Sequence, residues 1–327
     1  MMLRTDKEDF LMNNEVSVCY LARVKEGFEP LNKFLNSYKY FDAGYTHDLV
    51  IVFKGESPGG GYEEEALFSS VIHTSIYLSD QGYDITSYFE IANLVDSKYI
   101  FFVNTFGIIG SNQWLKKYVA VMKKECDIGI VGATGSWQSG YSPLYADLYK
   151  DIKVRGGMTA WLNRLIKYRQ FPNPHIRTNA FLIKRNVFLD SYSKAIVTKE
   201  DAYEFEHGRN SLTNKILKVK LKAYIVGENS IGYDIESWNK SGIFWADNQD
   251  NLLILDNQTI DYEMGSLERK QYLSLCAWHD PRCILGLKSD YEVKKDHCNR
   301  SLVSEIAIEI IFMCKFIVKK LYVKMMG

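Results

Sequence analysis

This sequence predicts a mostly parallel α/β sheet with helices on both faces, followed by a helical extension at the C-terminus. Three observations carry that prediction. The first 135 residues alternate between short apolar or β-branched runs and longer segments of helical spacing. The apolar runs are nearly continuous, as in strands buried on both faces. The composition is that of a globular chain: 46% hydrophobic and 24% charged over 327 residues, enough to bury a sizeable core.

The elements follow in order. Residues 16–24 (VSVCYLARV) read as the first strand. Over 28–41, Phe28, Leu31, Phe34, Leu35 and Tyr38 fall on one helical face. Residues 47–55 (HDLVIVFKG) are an apolar run stopped by glycine, the second strand. A Ser-Pro-Gly-Gly-Gly loop at 57–61 leads to a helix over 62–70 and a third strand over 73–78. The loop lacks the Gly-Lys-Ser/Thr ending of a P-loop. A helix over 85–95, a strand over 98–104, a helix over 114–124 and a strand over 127–133 complete the alternation. In such sheets ligands sit beyond the carboxyl ends of the strands. Segment 135–174 is less regular, 180–184 and 223–226 are strand-like, and 199–217 is helical with a break near Gly208. Residues 236–262, rich in Asn, Asp, Gln and Trp, read as a long functional loop.

Charge and cysteine usage bound the function. Lys plus Arg and Asp plus Glu are both 40, so nothing points to a nucleic-acid partner. Six cysteines with no C-x-x-C pair imply a reduced compartment. The acidic N-terminal segment does not resemble a signal peptide, so a cytoplasmic protein is expected. The tail, 301–326, is strongly apolar, with Glu305 and Glu309 early and Lys315, Lys319, Lys320 and Lys324 late. It is too interrupted to span a bilayer. It reads either as an interfacial helix turning its lysines to anionic headgroups, peripheral on the inner face of the cytoplasmic membrane, or as a terminal helix packed on the domain.

Five segments and one later run carry a resemblance. They are 47–55; 79–85 (SDQGYDI); 102–105 (FVNT); 173–181 (NPHIRTNAF); Lys199-Glu200-Asp201 running to 206–210 (EHGRN); and 249–259 (QDNLLILDNQT). Their order resembles GT-A-type glycosyltransferases, and among them bacterial surface-polysaccharide (O-antigen or capsule) transferases. The resemblance implies a GT-A-like domain over 14–262 and a C-terminal helical extension over 263–327. It also implies transfer of a hexose from a nucleotide-sugar donor to a lipid-linked saccharide acceptor, by inversion.

Residue roles follow from that resemblance. GT-A enzymes usually hold the donor diphosphate through Mg²⁺ or Mn²⁺ on an Asp-x-Asp after the fourth strand. Here that position reads Asn104-Thr105-Phe106, and hard cations prefer carboxylates. Either another carboxylate serves, or cationic side chains such as Arg23, Lys54 and Arg177 neutralise the diphosphate. Asp80 and Asp84, flanking Gly82, accept from base or ribose, or else form a turn and a helix cap. The general base is expected at Asp201, with Glu200 second and Glu206 third; helix capping is the competing role for the Glu200-Asp201 pair. Arg209 stabilises the leaving diphosphate, or is structural. His175 and Arg177, in a Pro-bounded segment, and Trp137 and Trp245, in polar sequence, are candidates to line the acceptor site; core packing is the alternative for the tryptophans. Two rival functions stand beside this one. A catalytically inactive glycan-binding or scaffolding module is kept alive by Asn104. A nucleotidyltransferase would show a Gly-rich basic signature that 16–29 lacks.

Overall fold

The computed structural model describes residues 14–55, 63–140, 163–164, 166–280, 301–308, 310–311, 314–315 and 318. In chain order the strands are β1 Val16–Arg23, β2 Asp48–Lys54, β3 Thr74–Leu78, β4 Tyr99–Val103, β5 Ile108–Ile109, β6 Ile128–Gly132, β7 Gly135–Ser136, β8 His175–Ile176, β9 Ala180–Lys184, β10 Lys222–Val226, β11 Gly232–Asp234 and β12 Ile254–Leu255. The helices are α1 Phe28–Tyr40, α2 Glu63–Leu67, α3 Asp84–Leu94, α4 Trp114–Lys124, α5 Arg185–Asp190, α6 Lys199–His207, α7 Leu212–Lys218, α8 Asn257–Met264 and α9 Leu267–Trp278.

Eight strands form one sheet in the order β11-β10-β6-β9-β4-β1-β2-β3. β1 to β4 run parallel, and β6 and β10 are parallel to each other. β9 inserts antiparallel between β4 and β6, and β11 closes one edge antiparallel. The expected mostly parallel α/β sheet is what forms. The Gly-rich loop at 57–61 lies outside the described residues.

The two-residue period of a strand sorts its side chains between two cores. Cys19, Leu21, Val50, Val52, Ile100 and Phe102 face one side, against Tyr88 of α3, Phe188 of α5 and Ile216 of α7. Val18, Tyr20, Ile51, Phe53, Phe101 and Val103 face the other, against Phe34 of α1 and Trp114 and Tyr118 of α4. Both faces are covered, which is why these strands read as unbroken apolar runs. Tyr20 lies flat on Phe34, with ring centroids 3.7 Å apart, and donates its hydroxyl hydrogen to the Thr105 carbonyl.

One expectation needs correction. Segment 236–262 joins the core: a 3₁₀ turn at Ile235–Lys240, β12 and α8 flank the irregular stretch 241–253, which is packed into the body. Trp238, Leu253 and Ile254 are fully buried there. Some of its polar residues bond internally: Asp256 caps α8, and Asn251 donates to the Ser241 carbonyl. Residues 262–263 lie within α8, and Trp278 of α9 donates to the Phe244 carbonyl. The break expected near Gly208 within 199–217 is present: α6 stops at Gly208 and Ser211 caps α7.

The tail begins against the body. Glu305 is 2% exposed, and its carboxylate meets Arg209 at 2.6 Å. Val303, Ile310, Ile311 and Val318 point outward, exposed by about half or more. Among the described residues no helix is long and apolar enough to cross a membrane.

Candidate active site

Register places two polar clusters along one edge of the sheet. β1, β2 and β3 end at Arg23, Lys54 and Leu78, so the turn 79–83 and the start of α3 share their carboxyl edge. β9 runs the opposite way, so its entry, Arg177-Thr178-Asn179, lies beside the exit of β4. The Asn104 N–H donates to the Asn179 carbonyl at 2.8 Å there.

The first cluster is Arg23, Lys54, Asp80 and Asp84. The Arg23 guanidinium lies 3.7 Å from Asp84 and 3.9 Å from Asp80. Neither Arg23 Nε nor Asp84 Oδ1, both buried, has a hydrogen-bond partner among the described residues. An unmade bond at a buried polar atom costs about 1–3 kcal/mol, so such pairs need a reason to exist. Burial raises the Asp84 carboxyl above its ordinary range, against the pull of Arg23 and Lys54. Lys54 is placed differently from the expected diphosphate contact. It is fully buried, and its ammonium donates to the Gly82 carbonyl at 3.0 Å. Its role is to hold the 79–83 turn, where Gly82 takes φ +68°, a conformation that favours glycine. Burial pulls its pKa below the usual lysine value.

The second cluster centres on Glu206, in the last turn of α6. Its Oε2 accepts from the Thr178 N–H at 2.7 Å and from the Thr178 hydroxyl. Its Oε1 has no hydrogen-bond partner among the described residues. His175 and His207 stand beside it, with ring centroids 5.4 Å apart. Burial works to raise the Glu206 carboxyl, but Arg177, the two histidines and Thr178 outweigh it, and the net direction is down. His175 is pushed down to about 4, by burial first and by His207 second. Burial likewise lowers His207, with Glu206 opposing. The cluster therefore sets a carboxylate whose charged form is favoured, by Arg177 first, beside two imidazoles whose charged forms burial disfavours. It opens on a cleft of about 450 Å³ whose walls include Ser136, Tyr168, Phe244 and Trp245. Tyr88 stands between the two clusters: its buried hydroxyl reaches the Thr178 carbonyl at 3.4 Å and lies within the fields of both Asp84 and Glu206.

The other sequence candidates take structural places. Asp201 is the third residue of α6 and forms a capping box with Thr198. Its Oδ1 is on Lys194 and its Oδ2 accepts from Thr198, interactions that hold it well below the usual carboxylate range. Glu200 is an exposed partner of Lys167. Arg209 bonds the Ile166 carbonyl and Glu305, so its charge is spent away from the sheet edge. Arg177 lines the cleft, yet its guanidinium is committed to Asp256 at 2.8 Å and to Thr134. Trp137 is 4% exposed, with its indole N–H on the Ile235 carbonyl; it is core, packed on Phe171 and Trp278. Trp245 stays on the cleft wall, its ring stacked on Phe244. The Asn104 carboxamide oxygen accepts from the Phe106 N–H, and the Thr105 hydroxyl is turned to the Leu21 carbonyl. This turn offers no carboxylate, so it does not fit a donor-side Mg²⁺ or Mn²⁺.

Sequence reasoning missed Thr178, His207 and Asp256. Adjacency to Glu206 at the end of a helix was a weak signal for His207. The run Asp256-x-x-Thr259 was a readable capping box. Nothing local marked Thr178, whose role exists only because β9 inserts antiparallel.

No protein-family model matches the sequence, and no curated protein matches it. Among solved structures the chain is similar to the mannosyltransferase PcManGT from Pyrobaculum calidifontis, in complex with GDP-Man and Mn²⁺. Identity is 11%, over 70% of this chain and 60% of that one, with a TM-score of 0.43. It is also similar to 4-diphosphocytidyl-2C-methyl-D-erythritol synthase from Anaerococcus prevotii, at 14% identity, 67% and 91% coverage and a TM-score of 0.40. Glucosyl-3-phosphoglycerate synthase from Mycobacterium tuberculosis overlaps at 13% identity, 53% and 56% coverage and a TM-score of 0.32. The chain spans less than two thirds of the first and third of these.

Proposed function

We propose that the chain is an inverting glycosyltransferase that moves a hexose from a nucleotide sugar to a lipid-linked saccharide in bacterial surface-polysaccharide synthesis. The observation that carries this reading is the Glu206 carboxylate. One oxygen is fixed by Thr178, and the other is unpartnered beside a polar and aromatic cleft. An inverting displacement needs one positioned carboxylate to take the proton of the attacking hydroxyl. Glu206 is held ionised and oriented, and it replaces Asp201 in that role, whose oxygens are engaged in the cap.

The donor side is supported by the unpartnered Arg23 Nε and Asp84 Oδ1. A ribose or base can supply the donors and acceptors these atoms lack, and Arg23 can meet the negative diphosphate. Asp80 is the second carboxylate within reach of the same ligand. Trp245 offers an indole face to the C–H face of an acceptor sugar. His175 is a neutral hydrogen-bonding group in the same cleft. Lys315, with the exposed apolar residues of the tail, suits a peripheral position on an anionic membrane face.

The test is a thermal-shift screen against UDP-, GDP-, dTDP- and CMP-sugars, followed by transfer assays on the sugar that binds. Stabilisation by one nucleotide class, with transfer lost in Glu206→Gln and binding kept, is the expected result. Transfer by Glu206→Gln at the wild-type rate sinks the assignment. The absence of a metal-binding carboxylate at Asn104 favours a second reading, an inactive glycan-binding module. That reading wins if saccharide binds and no nucleotide sugar is bound or turned over.

A further inference from the structure

His175, Glu206 and His207 offer three ligand atoms that all lie within 4.8 Å of one another. They are the one such group of three or more among the described residues, and none of the sequence motifs pointed to it as a set. Two of the three members are held from behind by hydrogen bonds in the way metal ligands are held, and the third by ring packing. The Nδ1 of His175 is bonded to the Asn173 carbonyl at 2.8 Å, which leaves Nε2 as the free lone pair. Glu206 is oriented by Thr178 through Oε2, which leaves Oε1. The His207 ring lies against the face of Tyr168, with centroids 5.1 Å apart, and its ring nitrogens have no partner among the described residues. His175 is 4% exposed, so its unpartnered Nε2 sits in a nearly closed site that meets the cleft.

We infer that these three side chains form a transition-metal site of the two-imidazole, one-carboxylate kind, selective for Zn²⁺ over Mg²⁺. Two nitrogen ligands and a single carboxylate suit a borderline-soft ion and suit a hard one poorly. Three protein ligands with a fourth position open to the cleft is the pattern of a tetrahedral zinc site. Bonds of about 2.1 Å put tetrahedral ligands about 3.4 Å apart, so small ring rotations close the set. The inference rests on the reading of Glu206 as the transfer base and adds a regulation to it. A carboxylate that binds Zn²⁺ cannot also take the acceptor proton, so the metal switches transfer off.

Binding is measured first and without reference to activity. Full-length, chelator-treated protein is titrated with Zn²⁺ by calorimetry and with Co²⁺ by visible absorption. The expected result is one ion per chain, a tetrahedral Co²⁺ spectrum without thiolate charge-transfer bands, and at least a tenfold weaker affinity in His207→Ser. Glu206→Gln, a nearly isosteric change, should weaken binding similarly, with circular dichroism confirming that both variants fold. No uptake, unchanged affinity in both variants, or thiolate bands from Cys126 or Cys314 would overturn the site. In the transfer assay Zn²⁺ should inhibit and chelator should restore the rate, while Mg²⁺ has no effect. Transfer that is unaffected by Zn²⁺ with the site filled overturns the regulation. Transfer that survives Glu206→Gln overturns the base assignment, a different failure from loss of metal binding.

Discussion

Thr178 donates two hydrogen bonds to one carboxylate oxygen of Glu206, from its backbone N–H at 2.7 Å and from its hydroxyl. This bond set ties the end of α6 to the entry of β9 and fixes which Glu206 oxygen faces the cleft. Removing a general base costs typically 10²–10⁴-fold. Glu206→Gln should therefore lower the transfer rate by about that factor, leaving donor affinity and melting temperature near wild type. Initial-rate kinetics and a melting curve on the same preparation check it.

Asp201→Asn should behave in the opposite way, keeping most of the transfer rate and losing stability. The capping box and Lys194 hold its carboxyl below the ordinary aspartate value of 3.8. The folded state therefore binds this proton less readily than the unfolded state does. The stabilisation is complete above about pH 3.8 and disappears as pH falls through the lowered folded value. Loss of the charge should cost about 1 kcal/mol at neutral pH. The wild-type and variant unfolding curves should converge in acid. A large fall in transfer with unchanged stability would return the base to Asp201.

Much of the fold was legible because its rules are local. Apolar runs such as 47–55 are continuous only when both faces are covered, and Phe34 and Tyr38 repeat at helical spacing on α1. The capping role of Asp201 was also local, since Thr198-x-x-Asp201 is a helix start on paper. The site was less legible because its members meet through topology. Thr178 reaches Glu206 because β9 runs against its neighbours, and no spacing in the sequence encodes that. Trp137 was ambiguous for a related reason. It sits in polar sequence, yet its indole is buried and its N–H finds a backbone carbonyl, so surrounding polarity was no guide to exposure.

The buried pair Arg177–Asp256 makes a sharper stability prediction. Both side chains are under a tenth exposed, and they meet at 2.8 Å. Breaking one partner of a buried pair typically costs about 3–5 kcal/mol, because the other charge is left without a partner. Asp256→Asn keeps a good N-cap for α8 and removes only the charge, so it isolates that term. Urea unfolding should show a loss in this range for Asp256→Asn. The double variant Arg177→Met/Asp256→Asn should recover part of it. A loss below about 1 kcal/mol would mean that Arg177 finds another partner.

The tail makes two separable predictions through Glu305. Its carboxylate is buried against Arg209, and its backbone carbonyl accepts from Gln170 at 2.9 Å, so the first turns of the tail are seated on the body. Beyond that point Ile310, Ile311 and Val318 are exposed beside Lys315. Glu305→Ala should cost about 1–3 kcal/mol by taking the carboxylate away from Arg209, which keeps its bond to the Ile166 carbonyl, while the apolar and basic part of the tail still binds vesicles. Deleting 301–327 should bring the same loss of stability and should also abolish sedimentation with vesicles containing anionic lipid. Binding of the full chain should fall as salt rises, since the attraction of lysines to anionic headgroups is screened within about a Debye length. Full-length protein that ignores anionic vesicles at low salt would leave the tail as a packed terminal helix alone. Binding to neutral and anionic vesicles alike would assign the contact to the isoleucines rather than to charge.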